Sequence, residues 1–154
     1  MEYKIVDSEK SEDVAGLAVC LTKEIIERTG TRHFNVDVPL AEELCRKFIE
    51  RGLYTVVAAF DGKQIVGFAS LCESHSLYAE GTFGIIQELY VLPEWRSKSM
   101  GRELIAKAKE FAKSRQWKRL ELCTPPVPEF DRTVSFYCDN GFEITGGYKM
   151  KYEF

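Results

Sequence analysis

Glu94-Trp95-Arg96-Ser97-Lys98-Ser99-Met100-Gly101 follows an apolar, strand-like run and leads into an amphipathic helix. The run before it, Phe83 to Val91, ends in Glu88-Leu89-Tyr90-Val91 and is stopped by Pro93. After it, Met100, Leu104, Ile105, Ala108, Phe111 and Ala112 recur at helical spacing. The stretch is therefore a strand-to-helix turn rich in cations and small residues. Free backbone N–H groups at a helix start, with the positive end of the helix dipole, attract an anion. Gly101 lets the backbone approach a ligand closely. Arg96, Lys98 and Arg102 would add charge-assisted contacts, and the geometry suits a pyrophosphate. The ordinary alternative is a well-capped basic turn at the surface.

Working outward, Tyr3 to Val6 reads as a first strand, and Ser11 as the N-cap of a helix ending at Gly30. Thr31 to Pro39 reads as a loop, and Leu40 to Ile49 as a second helix ending at Gly52. Tyr54 to Phe60 and Gln64 to Cys72 form a hairpin about Asp61-Gly62, and Glu73 to Gly81 is a polar loop. Beyond the third helix come a short strand, Arg119 to Cys123, a stiff run with Pro125, Pro126 and Pro128, and a fourth helix over Phe130 to Asn140. Phe142 to Thr145 and Tyr148 to Tyr152 read as a last hairpin about Gly146-Gly147. The order β-α-α-β-β-β-α-β-α-β-β predicts an α/β (α+β) fold with a mixed, twisted central sheet of about seven strands flanked by four helices.

With 154 residues, the expectation is a single domain over 1–154. Hydrophobic residues make up 45% and charged residues 29%, an ordinary globular balance. A net charge of -3 argues against nucleic acid as a partner. Cys20, Cys45, Cys72, Cys123 and Cys138 are odd in number and contain no C-x-x-C pair, which argues for a reducing compartment. His33 and His75 are far apart in sequence, so no metal site is expected. The polar N-terminus and the lack of a long apolar run point away from export and membranes, to a cytoplasmic protein.

Arg96-Ser-Lys-Ser99-Met-Gly101 resembles the main motif of the GNAT superfamily of N-acetyltransferases, Arg/Gln-x-x-Gly-x-Gly/Ala at a strand-to-helix turn. Leu89-Tyr90-Val91-Leu92-Pro93 fits that family's lead-in, and Phe136-Tyr137-Cys-Asp-Asn-Gly141-Phe142 is similar to its Phe-Tyr-x-x-x-Gly-Phe segment. The element order matches over nearly the whole chain. The resemblance implies that the backbone and side chains of Arg96, Ser97, Lys98, Ser99, Met100, Gly101 and Arg102 hold the pyrophosphate of acetyl-CoA. Leu89, Tyr90 and Val91 would line its arm, and Tyr137 would sit near its sulfur. One departure stands out: Ser99 occupies the first motif glycine, and a positive φ there would be strained.

The family chemistry is direct attack of an amine on a thioester. It needs a base, an oxyanion donor and a proton for the departing thiolate. Tyr137 is the candidate acid, since a phenol donates a hydrogen bond to sulfur; simple packing is its alternative. The resemblance implies a β-bulge that frees the N–H of Val91, or of a neighbour, as oxyanion donor. Glu88 is the candidate base, directly or through a water, and a structural ion pair is its alternative. Plain alternation puts Ile86, Glu88 and Tyr90 on one face and Gln87, Leu89 and Val91 on the other; a bulge would shift that register, which leaves open whether Glu88 or Gln87 faces the acceptor. Glu73 is a second candidate base, with solvent exposure as the expected fate. Cys123 is a weaker candidate nucleophile, and His33 and His75 candidate acceptor contacts. Phe34, Tyr54, Trp95 and Phe130 are candidate pocket walls.

The expected activity is acetyl transfer from acetyl-CoA to a primary amine, in a small molecule or a peptide. Thr31 to Pro39, Glu73 to Gly81 and Thr124 to Phe130 are the segments expected to choose the acceptor. Family members are often dimers, so a homodimer is possible. The rival class is a non-catalytic acyl-CoA-binding sensor or interaction module. An unrelated nucleotide-binding protein is disfavoured, because the run lacks the P-loop ending and the G-x-G-x-x-G spacing.

Overall fold

The computed structural model describes residues 1–32 and 34–154, so the candidate His33 lies outside the described residues. The chain divides into two compact units, Met1–Leu122 and Cys123–Phe154. In the first, β1 (Glu2–Val6) passes through a 3-10 turn into α1 (Ser11–Thr29) and α2 (Val38–Glu50). Then follow β2 (Thr55–Asp61), β3 (Gln64–Ser76), β4 (Gly81–Val91), α3 (Met100–Ser114) and β5 (Leu120–Leu122). The second unit holds α4 (Asp131–Asp139).

Local chemistry sets these boundaries. Gly30, at φ 67, ends α1 and returns its N–H to the Ile26 carbonyl at 2.8 Å. The Asp37 carboxylate caps α2 by accepting the Leu40 N–H at 3.0 Å. Ser11 is not the cap of α1 but its first residue. Asp7 instead caps the preceding 3-10 turn, and the Ser11 hydroxyl donates to the Ser8 carbonyl at 2.8 Å.

The sheet runs β1-β2-β3-β4-β5, antiparallel through β4 and parallel between β4 and β5. It is one mixed sheet, as expected, with five strands in place of about seven. Glu73 to Ser76 and Gly81 to Thr82 extend the β3–β4 ladder rather than forming a loop. The expected last hairpin is absent: 142–154 carry no strand, and Ile144, Tyr148 and Met150 are exposed. A two-stranded hairpin alone buries too little to hold its own pairing.

One face of the sheet buries Val56, Phe60 and Phe68 with Val14, Leu17 and Cys45 of α1 and α2. The other packs on α3. There a Cβ on Gly67 would come within 3.2 Å of the Met100 sulfur, so α3 rests directly on the β3 backbone. Gly84 of β4 supports the Trp117 indole, whose ring atoms lie 2.1 and 2.2 Å from where a Cβ would stand.

The β3–β4 register steps from Ser70↔Glu88 to Leu71↔Ile86, so Gln87 is the extra residue of a bulge. Ser70 and Leu71 are successive strand residues on opposite faces, and cross-strand partners share a face. Glu88 therefore lies on the α1/α2 face and Ile86 on the α3 face. This corrects the plain alternation, which put them together.

Candidate active site

The turn into α3 is wound as a glycine-rich turn would be. Ser97 has φ 62 and Ser99 has φ 61 with ψ 3, both left-handed. Ser99 thus occupies the conformation that its motif position reserves for glycine. Its side chain makes no capping hydrogen bond, and helical Met100 follows directly. A left-handed residue followed by a right-handed one gathers successive N–H groups into an anion-binding concavity. The residues present therefore fit a pyrophosphate through the backbone N–H groups at the start of α3. Met100 is buried, so its contribution there is its backbone alone.

The cations divide between two tasks. Arg96 folds back onto the frame: its guanidinium bonds both carboxylate oxygens of Glu24 on α1, at 3.1 and 2.6 Å. Its Nε donates to the Val91 carbonyl at 2.9 Å, and the group lies 5.2 Å from the Tyr90 ring centre. Arg96 therefore ties α1 to the end of β4. The Glu24 carboxyl is held below its usual range, first by the Arg96 hydrogen bonds. Lys98 rests over Trp95 with its ammonium 4.4 Å from the ring centre, and Lys98 and Arg102 are exposed.

The parallel ladder to β5 covers only Gly84 to Ile86. From Gln87 to Val91, β4 runs on without β5 beside it. Leu92 donates its N–H to the Val66 carbonyl on β3, at 3.0 Å. Strand alternation then turns the N–H groups of Leu89 and Val91 toward the open edge. The bulge anticipated for this strand is thus at Gln87, whose side-chain amide donates to the Cys72 sulfur at 3.1 Å.

On the α1/α2 face, Glu88 lies in the lining of a cavity of about 230 Å³. Ser70 donates to its carboxylate, and the Tyr54 hydroxyl does so at 3.4 Å. The Ser70 hydroxyl also accepts the Glu88 backbone N–H at 3.1 Å. Burial pushes the Glu88 carboxyl above its usual range, against the pull of the Ser70 and Tyr54 hydrogen bonds. Tyr54 is raised in turn, by burial first and by Glu88 next. A raised carboxyl in a cavity, with no ion-pair partner among the described residues, has the electrostatics of a general base.

The other candidates fall elsewhere. Glu73 accepts the Trp117 indole N–H at 2.7 Å and lies 3.5 Å from Arg115. The Trp117 bond leads in lowering its carboxyl, which makes it a poorer base than Glu88. His75 is exposed and shares a 3.1 Å hydrogen bond with Thr82. Phe34 and Cys123 are exposed. Tyr54 lines the cavity, whereas Trp95 and Phe130 are absent from its lining. Among the described residues no group of three metal-ligating side chains lies together.

In the second unit, Tyr137 is packed edge-to-face between Phe136 and Phe142, with ring centres 5.3 and 5.6 Å away. Burial pushes its phenol up to about 12, so it keeps its proton at neutral pH. Ser70 and Glu24, the partners of Glu88 and Arg96, are the residues that pattern reading missed. Ser70 had a visible signal, a lone hydroxyl in the apolar run Ile65 to Cys72.

The open edge of the mixed sheet thus lies beside the strand-to-helix turn into α3, with the half-buried Glu88 carboxyl on the opposite face. The acetyltransferase (GNAT) family matches residues 22–142, and the chain belongs to that family. The chain is 41% identical to an uncharacterized N-acetyltransferase of Archaeoglobus fulgidus over 69 residues, 44% of this chain. That match spans 46% of the relative, so the chain covers about half its length. It is 28% identical to the uncharacterized N-acetyltransferase YhfO of Bacillus subtilis over 112 residues, 73% of this chain and 74% of that one. The crystal structure of a mutant BH1408 protein from Bacillus halodurans shares the fold with a TM-score of 0.82, at 18% identity over 100% of both chains.

Proposed function

We propose that the chain moves the acetyl group of acetyl-CoA to a primary amine by direct attack, with Glu88 as the base. The observation that carries this reading is the raised Glu88 carboxyl in a cavity on the face of β4 opposite α3. The backbone from Ser97 to Arg102 binds pyrophosphate, and Lys98 and Arg102 add charge. The open edge at Leu89, Tyr90 and Val91 holds the arm, and the Val91 N–H polarises the acetyl carbonyl.

The amine enters as an ammonium and gives a proton to Glu88. Its nitrogen then bonds the acetyl carbon as the carbon–sulfur bond breaks, sheds its second proton to water, and the thiolate takes a proton from a donor. Tyr137 is proposed as the donor of that proton on its family segment alone; its raised pKa keeps it protonated at neutral pH while making the phenol a weaker acid. Arg96 acts as a positioning residue, fixing the end of β4 against Glu24. The unpaired cysteine set supports a cytoplasmic setting.

The test is thiol release from acetyl-CoA across an amine panel, for the wild type, Glu88→Gln and Tyr137→Phe. Each variant should lose about a hundredfold or more in turnover. Unchanged turnover in Tyr137→Phe removes the acid role. Tight acetyl-CoA binding with no amine consumed would favour the non-catalytic module.

A further inference from the structure

Three properties of the Glu88 cavity bear on what can enter it: its size, its walls and its charge. At about 230 Å³ it is half as large again as the ~150 Å³ engineered cavity that holds benzene. It is also smaller than the roughly 300–1,000 Å³ sites that take drug-sized ligands. A six-membered ring with a two-carbon arm, or a branched chain of similar bulk, fills such a space. An aminoglycoside would leave most of its rings outside it.

Most of the wall is hydrocarbon, with Thr22, Asn35, Tyr54 and Ser70 as the neutral polar groups of the lining. Ala15, Ala18 and Val19 come from α1, Leu44 and Phe48 from α2, and Phe68 from β3. A second ammonium or a set of hydroxyls pressed against these groups would lose its water without gaining a partner. An apolar body gains from the same contact, at about 25 cal/mol for each Å² removed from water.

The charge is one-sided and local. Glu88 and Asp37 are the acids of the lining, which among the described residues includes no Lys or Arg. Asp37 caps α2 through the Leu40 N–H at 3.0 Å and is exposed, so Glu88 is the acid that meets an ammonium inside the cavity. The carboxylate of a free amino acid would find no cation there.

We infer that the acceptor is a small monoamine with an uncharged, apolar body of arylalkyl or branched alkyl type. It binds between α1 and α2 with its ammonium on Glu88. This inference rests on the acetyl-transfer reading for its chemistry, but its binding mode can be measured without turnover.

The experiment has two arms. The first compares acetyl transfer to phenethylamine and isopentylamine with transfer to spermidine, kanamycin and a peptide with a free N-terminal alanine. The apolar monoamines should exceed the others in kcat/KM by about tenfold or more. A preference for spermidine, kanamycin or the peptide overturns the inference while leaving acetyl transfer intact. The second arm measures phenethylamine binding by calorimetry to the wild type, Ala18→Phe and Ala41→Leu, the milder Ala41→Leu serving if Ala18→Phe fails to fold. Binding should weaken by about tenfold when the cavity is filled. Equal binding to wild type and a folded filled variant, or none to the wild type, overturns the inference. If no amine is acetylated, the proposed activity falls and this second arm alone decides the pocket.

Discussion

The Ser70 hydroxyl holds Glu88 at both ends, accepting its backbone N–H at 3.1 Å and donating to its carboxylate. One buried side chain thus pins both the bulged strand and the rotamer of the base. Ser70→Ala removes both bonds and leaves a buried N–H and a carboxylate short of a partner. We expect a loss of about 1–3 kcal/mol in stability, read by denaturant unfolding. The Ser70 bond lowers the Glu88 pKa, so its loss should also move the acid limb of the pH–rate profile upward.

Glu88→Gln should separate catalysis from folding. The folded-state pKa of Glu88 is raised, so its contribution to stability is full below the unfolded value of about 4.3 and is lost as pH rises through the folded value. Above that window the wild type carries a burial cost that a neutral amide avoids. The melting temperature of Glu88→Gln at pH 8 should therefore equal or exceed that of the wild type. A marked drop would mean the carboxylate is a structural ion partner.

Ser99 sits at φ 61, where a side chain is disfavoured. Ser99→Gly should stabilise the chain by about 1 kcal/mol, or about 2–4 °C, and preserve or tighten CoA affinity measured by calorimetry. A large loss of affinity would make the serine hydroxyl itself a ligand.

The Glu24–Arg96 pair offers a test of opposite sign. Its folded-state carboxyl is lowered, so the stabilisation is present above the unfolded value and fades as pH falls through the folded one. Glu24→Gln should cost about 1 kcal/mol at pH 7, the upper range for a partly exposed pair, and nothing in strong acid. Equal melting temperatures at pH 7 would show that the bond contributes no net stability.

Gly84 tests the packing beneath β4. A Cβ there would meet the Trp117 ring at 2.1 and 2.2 Å. Gly84→Ala should destabilise by about 1–3 kcal/mol in denaturant unfolding.

Much of this layout was readable in the residues themselves. Asp61-Gly62 marked the hairpin, Gly30 the end of α1, and Arg96 to Gly101 the turn into α3, because each signal is local. Ser97 did not announce its left-handed backbone, and at Ser99 only the motif's glycine position raised it, since that conformation is imposed by the turn and not by serine. The face of Glu88 was hidden for a related reason. The bulge at Gln87 depends on pairing with Ser70 and Leu71 of another strand, and a one-residue step reverses every side chain beyond it. Glu24 lies far from Arg96 along the chain, so only the folded α1 could reveal their pairing. The last hairpin failed because glycines and alternating aromatics describe a strand's preference, and pairing requires a partner.

The central claim is that Glu88 takes the proton of the attacking amine. The most direct measurement is the pH dependence of kcat/KM for acetyl-CoA-dependent thiol release, in the wild type and Glu88→Gln. The wild type should show an acid limb above the ordinary carboxylate value of about 4.3, and the variant should lose both that limb and about two to four orders of magnitude in rate. A variant that keeps the wild-type rate and limb would contradict the account.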